Sequence, residues 1–404
     1  MRFTAEDFAS DSIVWHFELT SRCTLACPSC SRTVPRVAYE VRDLAPDAIK
    51  GYFTAEVLAK TKKVIYSGNL GDPIYHRELP EIVRFFAAAG VHQTVVTNGS
   101  WRNGRWWEAL VAALRRNDVV IFSIDGLRDT NPTYRINSNW DSIMAAVDTC
   151  RGRVRMHWKF IAFAHNEHQI EEARALSGEL GFEKFLVVVS WRSKYEGMAP
   201  RKAALEKVAS AGDLKVLDRE RQEITLSPKC LRGDHWFISH EGQFYPCCMM
   251  AAVKRHLEPT VFFREREAFD VTRHGLTEML ASAPFREFID TLNDPAQTYA
   301  VCREKCATVG HTNRTIKLDP LGTHSIQLAA RPRRPCRARG AGAFAVAVIA
   351  IRHGLRATDR VLGATAARPW RGSRRPRSRR CGRCAPVPRS GAARTRRCPR
   401  QSGS

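Results

Sequence analysis

Apolar runs at Ile13–Leu19, Val64–Tyr66, Thr94–Thr97, Val119–Ile124, His157–Phe163 and Phe185–Val189 punctuate the first half of the chain. Between them, near Ile49–Lys60, Leu79–Ala89, Arg105–Leu114, Trp140–Thr149 and Gln169–Leu180, apolar residues recur every three or four positions. Short apolar runs alternating with helical periodicity predict parallel strands joined by right-handed helical crossovers. The pattern predicts an α/β fold. Periodicity alone leaves an open doubly wound sheet and a (β/α) barrel equally available.

The rhythm changes after about residue 190. Residues 191–225 read as a polar, basic linker with a short helix. Trp236–Ser239, Glu241-Gly242 and Gln243–Tyr245 then predict a β-hairpin turned at Gly242. A helical segment follows near Leu276–Leu292. Residues 191–325 are few for an independent core, which points to a metal staple. Residues 326–404 form an Arg/Ala/Pro-rich tail predicted to be disordered. Its abrupt loss of lysine suggests an extraneous extension.

Charge sharpens this division. The chain carries a net +23, yet residues 331–404 hold 21 arginines, no lysine and the single acid Asp359. The first 330 residues contain 43 basic and 40 acidic side chains, close to neutrality. A near-neutral body argues against a nucleic-acid surface. The longest apolar run, Ala343–Ile351, is too short to span a bilayer. Met1–Ser12 is acidic and lacks the apolar core of a signal peptide, so a cytoplasmic location is expected. Nine of the 13 cysteines lie in the body, where clustering without secretion favours metal ligation over disulfides.

Cys23, Cys27 and Cys30 follow the first predicted strand as a CxxxCxxC triplet. Three thiolates hold three irons of a 4Fe–4S cube and leave the fourth open for chemistry. A zinc knuckle completed by a distant histidine such as His16 or His76 satisfies the spacing as well.

The triplet, at the C-terminal end of a strand, resembles that of the radical S-adenosylmethionine (radical SAM) superfamily. The resemblance implies a partial (β/α)6 TIM-like barrel. It also implies a cluster whose unique iron binds S-adenosylmethionine, and reductive cleavage to a 5′-deoxyadenosyl radical. Ser29 departs from the aromatic residue usual before the last cysteine. Gly68-Asn69-Leu70-Gly71-Asp72-Pro73 resembles the segment that receives the methionine ammonium, with Asp72 in place of glutamate. The likeness extends to Thr97-Asn98-Gly99 and to Ser123-Ile124-Asp125. It implies that Gly68, Asn69, Gly71, Asp72, Asn98 and Ser123 bind the cofactor. Asp125 is a candidate acid or base, and each of these segments also suits a turn or cap. Lys159 is a further candidate whose face alternation does not decide.

Cys230, Gly242 and Cys247 resemble the opening of the SPASM and twitch extensions. Cys302 and Cys306 complete four ligands for one auxiliary 4Fe–4S cluster. Structural zinc is the alternative for the same four thiols, and Cys248 competes with Cys247. Cys150 reads as a core residue, and Cys381 and Cys384 as chance.

The implied protein is a radical SAM enzyme supplied by a flavodoxin- or ferredoxin-type electron donor. Its unidentified substrate is first expected to be a peptide or protein side chain. Little sequence precedes the first strand, so an amino-terminal peptide-recognition domain is not expected. Sugar or nucleotide oxidation is the alternative within the family. A zinc-stapled nucleic-acid-binding protein is the alternative outside it.

Overall fold

The computed structural model describes residues 2–8, 10–33, 39–189, 197–201, 226–234, 236–252, 254–294, 296–306, 314–318 and 324–325. Residues 202–225 and the tail from 326, including its cysteines, lie outside them.

Six parallel strands carry the body: β1 (Ile13–Phe17), β2 (Thr61–Tyr66), β3 (His92–Thr97), β4 (Val119–Ser123), β5 (Arg155–Ile161) and β6 (Lys184–Val189). They pair strictly in sequence order. That order separates the two sequence alternatives, because a doubly wound sheet reverses its strand order at a switch point. The crossovers are α1 (Pro46–Tyr52) and α2 (Ala55–Lys60), α3 (Leu79–Ala88), α4 (Gly104–Ala113), α5 (Asn131–Tyr134) and α6 (Trp140–Cys150), and α7 (Ile170–Glu179). β1 and β6 do not meet. β7 (Trp236–Ile238) adds parallel to β1 and pairs antiparallel with β8 (Phe244–Tyr245). On the other edge β9 (Arg314–Leu318) pairs antiparallel with β6, and β10 (His324–Ser325) with β9. The barrel is therefore partial, with both edges covered.

Strand phase sets the two faces. Trp15, Phe17, Val64, Tyr66, Val95, Val120, Phe122, Trp158, Phe160, Phe185 and Val187 are buried in the core shared with the helices. Their alternates, including Val14, His16, Ile65, Ile121, His157 and Lys159, are half-buried on the lumen side. Lys159 thus faces the lumen, which alternation in the sequence left undecided.

The carboxyl-terminal extension shares the barrel's core. Trp236 meets Trp15 edge-on with centroids 5.5 Å apart, and Phe8 sits 5.0 Å from Phe285 and 5.9 Å from Phe288. The predicted hairpin forms around Gly242, whose φ of 80° a side chain would disfavour. The predicted helix at Leu276–Leu292 is broken by Ser282, which caps the second half by accepting from the Phe285 amide at 3.2 Å.

Candidate active site

Four loops at the C-terminal end of the barrel converge. This is the end at which (β/α) barrels place their chemistry. The first carries Cys23, Cys27 and Cys30. Cys27 is buried and the other two half-buried. Arg32 cinches this loop by donating to the Cys23 carbonyl at 2.5 Å. The Cys30 amide donates to the Cys27 carbonyl at 3.1 Å. Ser29 is fully buried here.

Asn98, just beyond β3, ties this loop to the second. Its amide nitrogen Nδ2 lies 3.7 Å from Cys23 Sγ and donates to Asp72 Oδ2 at 2.6 Å. Asp72 also accepts from the Asn98 backbone at 2.7 Å, Thr97 Oγ1 at 2.8 Å and the Ile74 amide at 3.2 Å. Asn98 Oδ1 meanwhile accepts from the Ser100 amide at 2.8 Å, so the predicted Asx-turn and the approach to the cysteine coexist. Burial pushes the Asp72 carboxyl up to about 6 despite these donors. Ionising it in the fold costs about 3 kcal/mol relative to the unfolded chain. A cation placed beside it offsets that cost.

The Gly68–Gly71 backbone is pressed against β1's end. A Cβ on Gly71 would stand 1.8 Å from the Thr20 carbonyl oxygen, and one on Gly68 2.7 Å from Glu18 Oε1. Glu18 accepts from the backbone amides of Leu70 and of Gly71, the latter at 3.3 Å. Its other oxygen lies 3.6 Å from His240 Nδ1, and His240 Nε2 donates to the Glu40 carbonyl at 3.1 Å. Cys30 Sγ approaches the Asn69 carbonyl at 3.9 Å, while Asn69 Nδ2 donates to the Cys248 carbonyl at 3.1 Å. We expect Gly71→Ala to lower stability by about 3 kcal/mol, the upper end for overpacking. S-adenosylmethionine affinity should fall with it. Denaturant titration and equilibrium binding check both, and wild-type values would contradict this close approach.

Ser123 is buried at the end of β4, in register with Lys159 on β5. Asp125 is engaged on both oxygens: Oδ2 accepts from Arg135 Nε at 2.7 Å and Oδ1 from the Ile161 amide at 2.7 Å. That geometry makes it an anchor for Arg135 and leaves little room for the acid–base role expected of it. Arg135 follows α5 and is nearly buried; its pKa rises through the charges of Asp125 and Cys27 against the cost of burial. Leu25, Cys27, Tyr134, Ile161 and Phe163 form a second apolar cluster beneath the cysteine loop. His165 stacks on Phe163, and Asn166 serves as a turn brace, donating to the Asp125 and Ile161 carbonyls at 2.9 and 3.0 Å.

The second cysteine set assembles from three segments. Cys230 sits in the 3-10 turn Lys229–Arg232, Cys247 follows β8, and Cys302 and Cys306 share one face of the helix Ala300–Cys306. Burial raises the Cys230 pKa well above the thiol range, and Cys302, Cys247 and Cys306 raise it further. Cys302 and Cys306 are raised in the same way. Cys23 is pushed by burial, then by Asp72, to about 12. Thiolates packed together out of water are held only by bound cations, so both donor sets fit metal ligation.

Among the described residues, no three His, Cys, Asp or Glu side chains gather tightly enough for one metal ion. A zinc ion needs every sulfur about 2.3 Å from a single point, whereas a cube spreads its thiolates over four irons. The histidines offered as zinc ligands are engaged elsewhere. His76 Nε2 donates to the Leu44 carbonyl at 2.9 Å while Nδ1 accepts from the Glu78 amide at 3.2 Å. His16 Nε2 is bonded to Ser67 Oγ at 2.6 Å. The five cysteines between 191 and 330 suffice for one four-cysteine cube and not two.

Residues 17–176 match the radical SAM superfamily, and residues 230–307 match SPASM, an iron–sulfur cluster-binding domain. The chain belongs to the radical SAM superfamily. It is a radical SAM enzyme with an iron–sulfur extension of the SPASM/twitch type, and its cofactors are 4Fe–4S clusters and S-adenosylmethionine. The zinc-stapled nucleic-acid-binding alternative is thereby set aside.

This radical SAM enzyme is similar to PqqA peptide cyclase of Xanthomonas campestris pv. campestris, at 28% identity over 293 residues, covering 64% of this chain and 72% of the cyclase. It is similar to Fe-coproporphyrin III synthase of Methanosarcina barkeri at 23% identity over 216 residues. There it covers 52% of its own length and about half, 51%, of the synthase. The crystal structure of Streptococcus suis SuiB bound to precursor peptide SuiA aligns with a TM-score of 0.48 at 14% identity, covering 72% of this chain and 76% of SuiB. Among the described residues, no helix is long and apolar enough to cross a membrane.

Sequence reasoning missed Glu18 and Arg135. Glu18 was legible as a carboxylate closing an apolar strand in the lumen phase. Arg135 carries no local signal, since its partners Asp125 and Cys27 lie 10 and 108 positions away.

Proposed function

We propose that this enzyme cleaves S-adenosylmethionine reductively at Cys23, Cys27 and Cys30 and takes a hydrogen atom from a peptide or protein side chain. The observation that carries the first half is Asn98, which joins Cys23 Sγ to the buried Asp72 carboxylate. When bound and reduced, a 4Fe–4S cube with one open iron supplies the electron that breaks the sulfonium C–S bond, yielding a radical that abstracts hydrogen. Asp72 provides the anion for the methionine ammonium, and Gly68, Asn69 and Gly71 bring backbone close enough to share it. Glu18 fixes that loop through its amides. Arg135, oriented by Asp125, offers a guanidinium to the methionine carboxylate, and Ser123 a hydroxyl beside it. Leu25, Tyr134 and Phe163 exclude water beneath the loop.

The substrate assignment is supported by the likeness to PqqA peptide cyclase, 72% of which this chain covers. Lys159 in the lumen, level with Ser123, suits an acidic group on such a substrate. Cys230, Cys247, Cys302 and Cys306 hold one auxiliary cluster, with the barrel ending near residue 190. A flavodoxin- or ferredoxin-type donor and a cytoplasmic setting complete the proposal.

Metal and sulfide analysis after anaerobic purification tests the cluster assignment. About eight irons per chain are expected from two four-iron cubes; two zincs would overturn it. Peptides encoded by neighbouring genes, deuterated and offered in turn, should label 5′-deoxyadenosine. Labelling from a deuterated sugar or nucleotide instead would move the substrate class.

A further inference from the structure

The outer surface of the cysteine loop is flanked by exposed apolar groups. Among the described residues four large hydrophobic side chains are exposed, and two of them, Trp101 at 45% and Ile136 at 40%, border this loop. The Ile136 carbonyl accepts from the Ala26 amide at 3.1 Å, and Asn137 Nδ2 donates to the Thr24 carbonyl at 3.2 Å. On the other side Trp101 stacks on Tyr75, centroids 5.4 Å apart and planes 12° from parallel. The Tyr75 hydroxyl is bonded to Thr24 Oγ1 at 2.5 Å, and Thr24 adjoins Cys23. A contiguous path of an indole, a phenol and a threonine therefore runs from solvent to the first cysteine.

The turn that presents Trp101 is built with strain. Arg102 holds a φ of 79° without being glycine. Its guanidinium locks it there, donating from Nε to the Ile74 carbonyl at 2.6 Å and from Nη2 to the Tyr75 carbonyl at 3.2 Å, and lying 4.9 Å over the Trp106 ring. Charge around the patch is mainly positive. Arg77 and Arg105 are exposed, and Arg77 is near enough to Arg102 to lower its pKa after the larger effect of burial. Asp43 is paired with Arg22 at 2.5 Å, and Glu78 adjoins Arg77 in the chain. An apolar centre with a charged rim is the anatomy of a protein interface, and a basic rim selects an acidic partner.

We propose that the Trp101–Tyr75–Thr24 face, rimmed by Arg77, Arg102 and Arg105, is where an acidic one-electron carrier protein docks and delivers its electron to the cluster held by Cys23, Cys27 and Cys30. The step rests on the cluster reading above. One electron leaves the carrier's reduced centre and enters the oxidised cube; the carrier departs oxidised, and neither Trp101 nor Tyr75 changes oxidation state. The aromatic pair's task is to bring the carrier's centre close.

The test uses the full-length, iron-loaded protein and two acidic probes, a flavodoxin and a plant-type ferredoxin. Binding is followed by surface plasmon resonance across a salt series, and cluster reduction by paramagnetic resonance, with dithionite as a small reductant. Arg77→Glu should weaken carrier binding and slow carrier-driven reduction roughly tenfold, flattening the salt dependence. Trp101→Ala should slow reduction while Trp101→Phe restores most of it. Dithionite should reduce every variant at the wild-type rate. Carrier binding and reduction unchanged in both Arg77→Glu and Trp101→Ala would overturn the docking face. So would a wild-type cluster that dithionite reduces but neither carrier does. Failure of dithionite on the wild-type protein would strike instead at the cluster reading.

Discussion

Changing Cys23, Cys27 or Cys30 to alanine should remove about four of roughly eight irons and abolish formation of 5′-deoxyadenosine. In the proposed cluster each thiolate holds one iron. His76 is bonded through both ring nitrogens, and Asn98 next to Cys23 offers only an amide. The auxiliary iron should survive, because Cys230, Cys247, Cys302 and Cys306 lie on other segments. The reciprocal changes at those four should spare the amino-terminal cluster and loosen the extension. Iron analysis with paramagnetic resonance separates the two losses. Full iron and undiminished cleavage in all three triplet variants would contradict the assignment.

Affinity for S-adenosylmethionine should be flat above about pH 6 and fall near tenfold for each unit below it. Burial raises Asp72 from 3.8 to about 6, so the folded chain holds that proton more tightly than the unfolded chain does. Carboxylate ionisation therefore works against folding as pH rises from 3.8 to about 6, and a bound ammonium recovers the cost. Below pH 6 the carboxyl is neutral and the ammonium loses its partner. Isothermal titration between pH 5 and 8 measures this. An Asp72→Asn variant should bind weakly and without that pH dependence. An unchanged slope in the variant would place the titrating group elsewhere.

The strands were legible because the covered sheet demands near-continuous apolar runs. The triplet and the four distant cysteines stood out by their spacing, which suits iron–sulfur ligation. What escaped depends on tertiary geometry. The predicted helix over Ile49–Lys60 is two helices because Thr54 caps the second through the Val57 amide at 3.5 Å. The direction of Lys159 follows from Trp158 and Phe160 filling the opposite face. Asp125 was legible as a candidate acid or base or as a cap, while the partners on both of its oxygens, Arg135 and the Ile161 amide, are set by tertiary geometry. β9 pairs with β6 across more than 120 residues of chain, a distance at which local pattern says nothing.

The most direct measurement is anaerobic incubation of the iron-loaded protein with S-adenosylmethionine and dithionite, quantifying products by chromatography. Methionine and 5′-deoxyadenosine should accumulate in equal amounts. A protein carrying its full complement of iron that leaves S-adenosylmethionine intact would contradict the account.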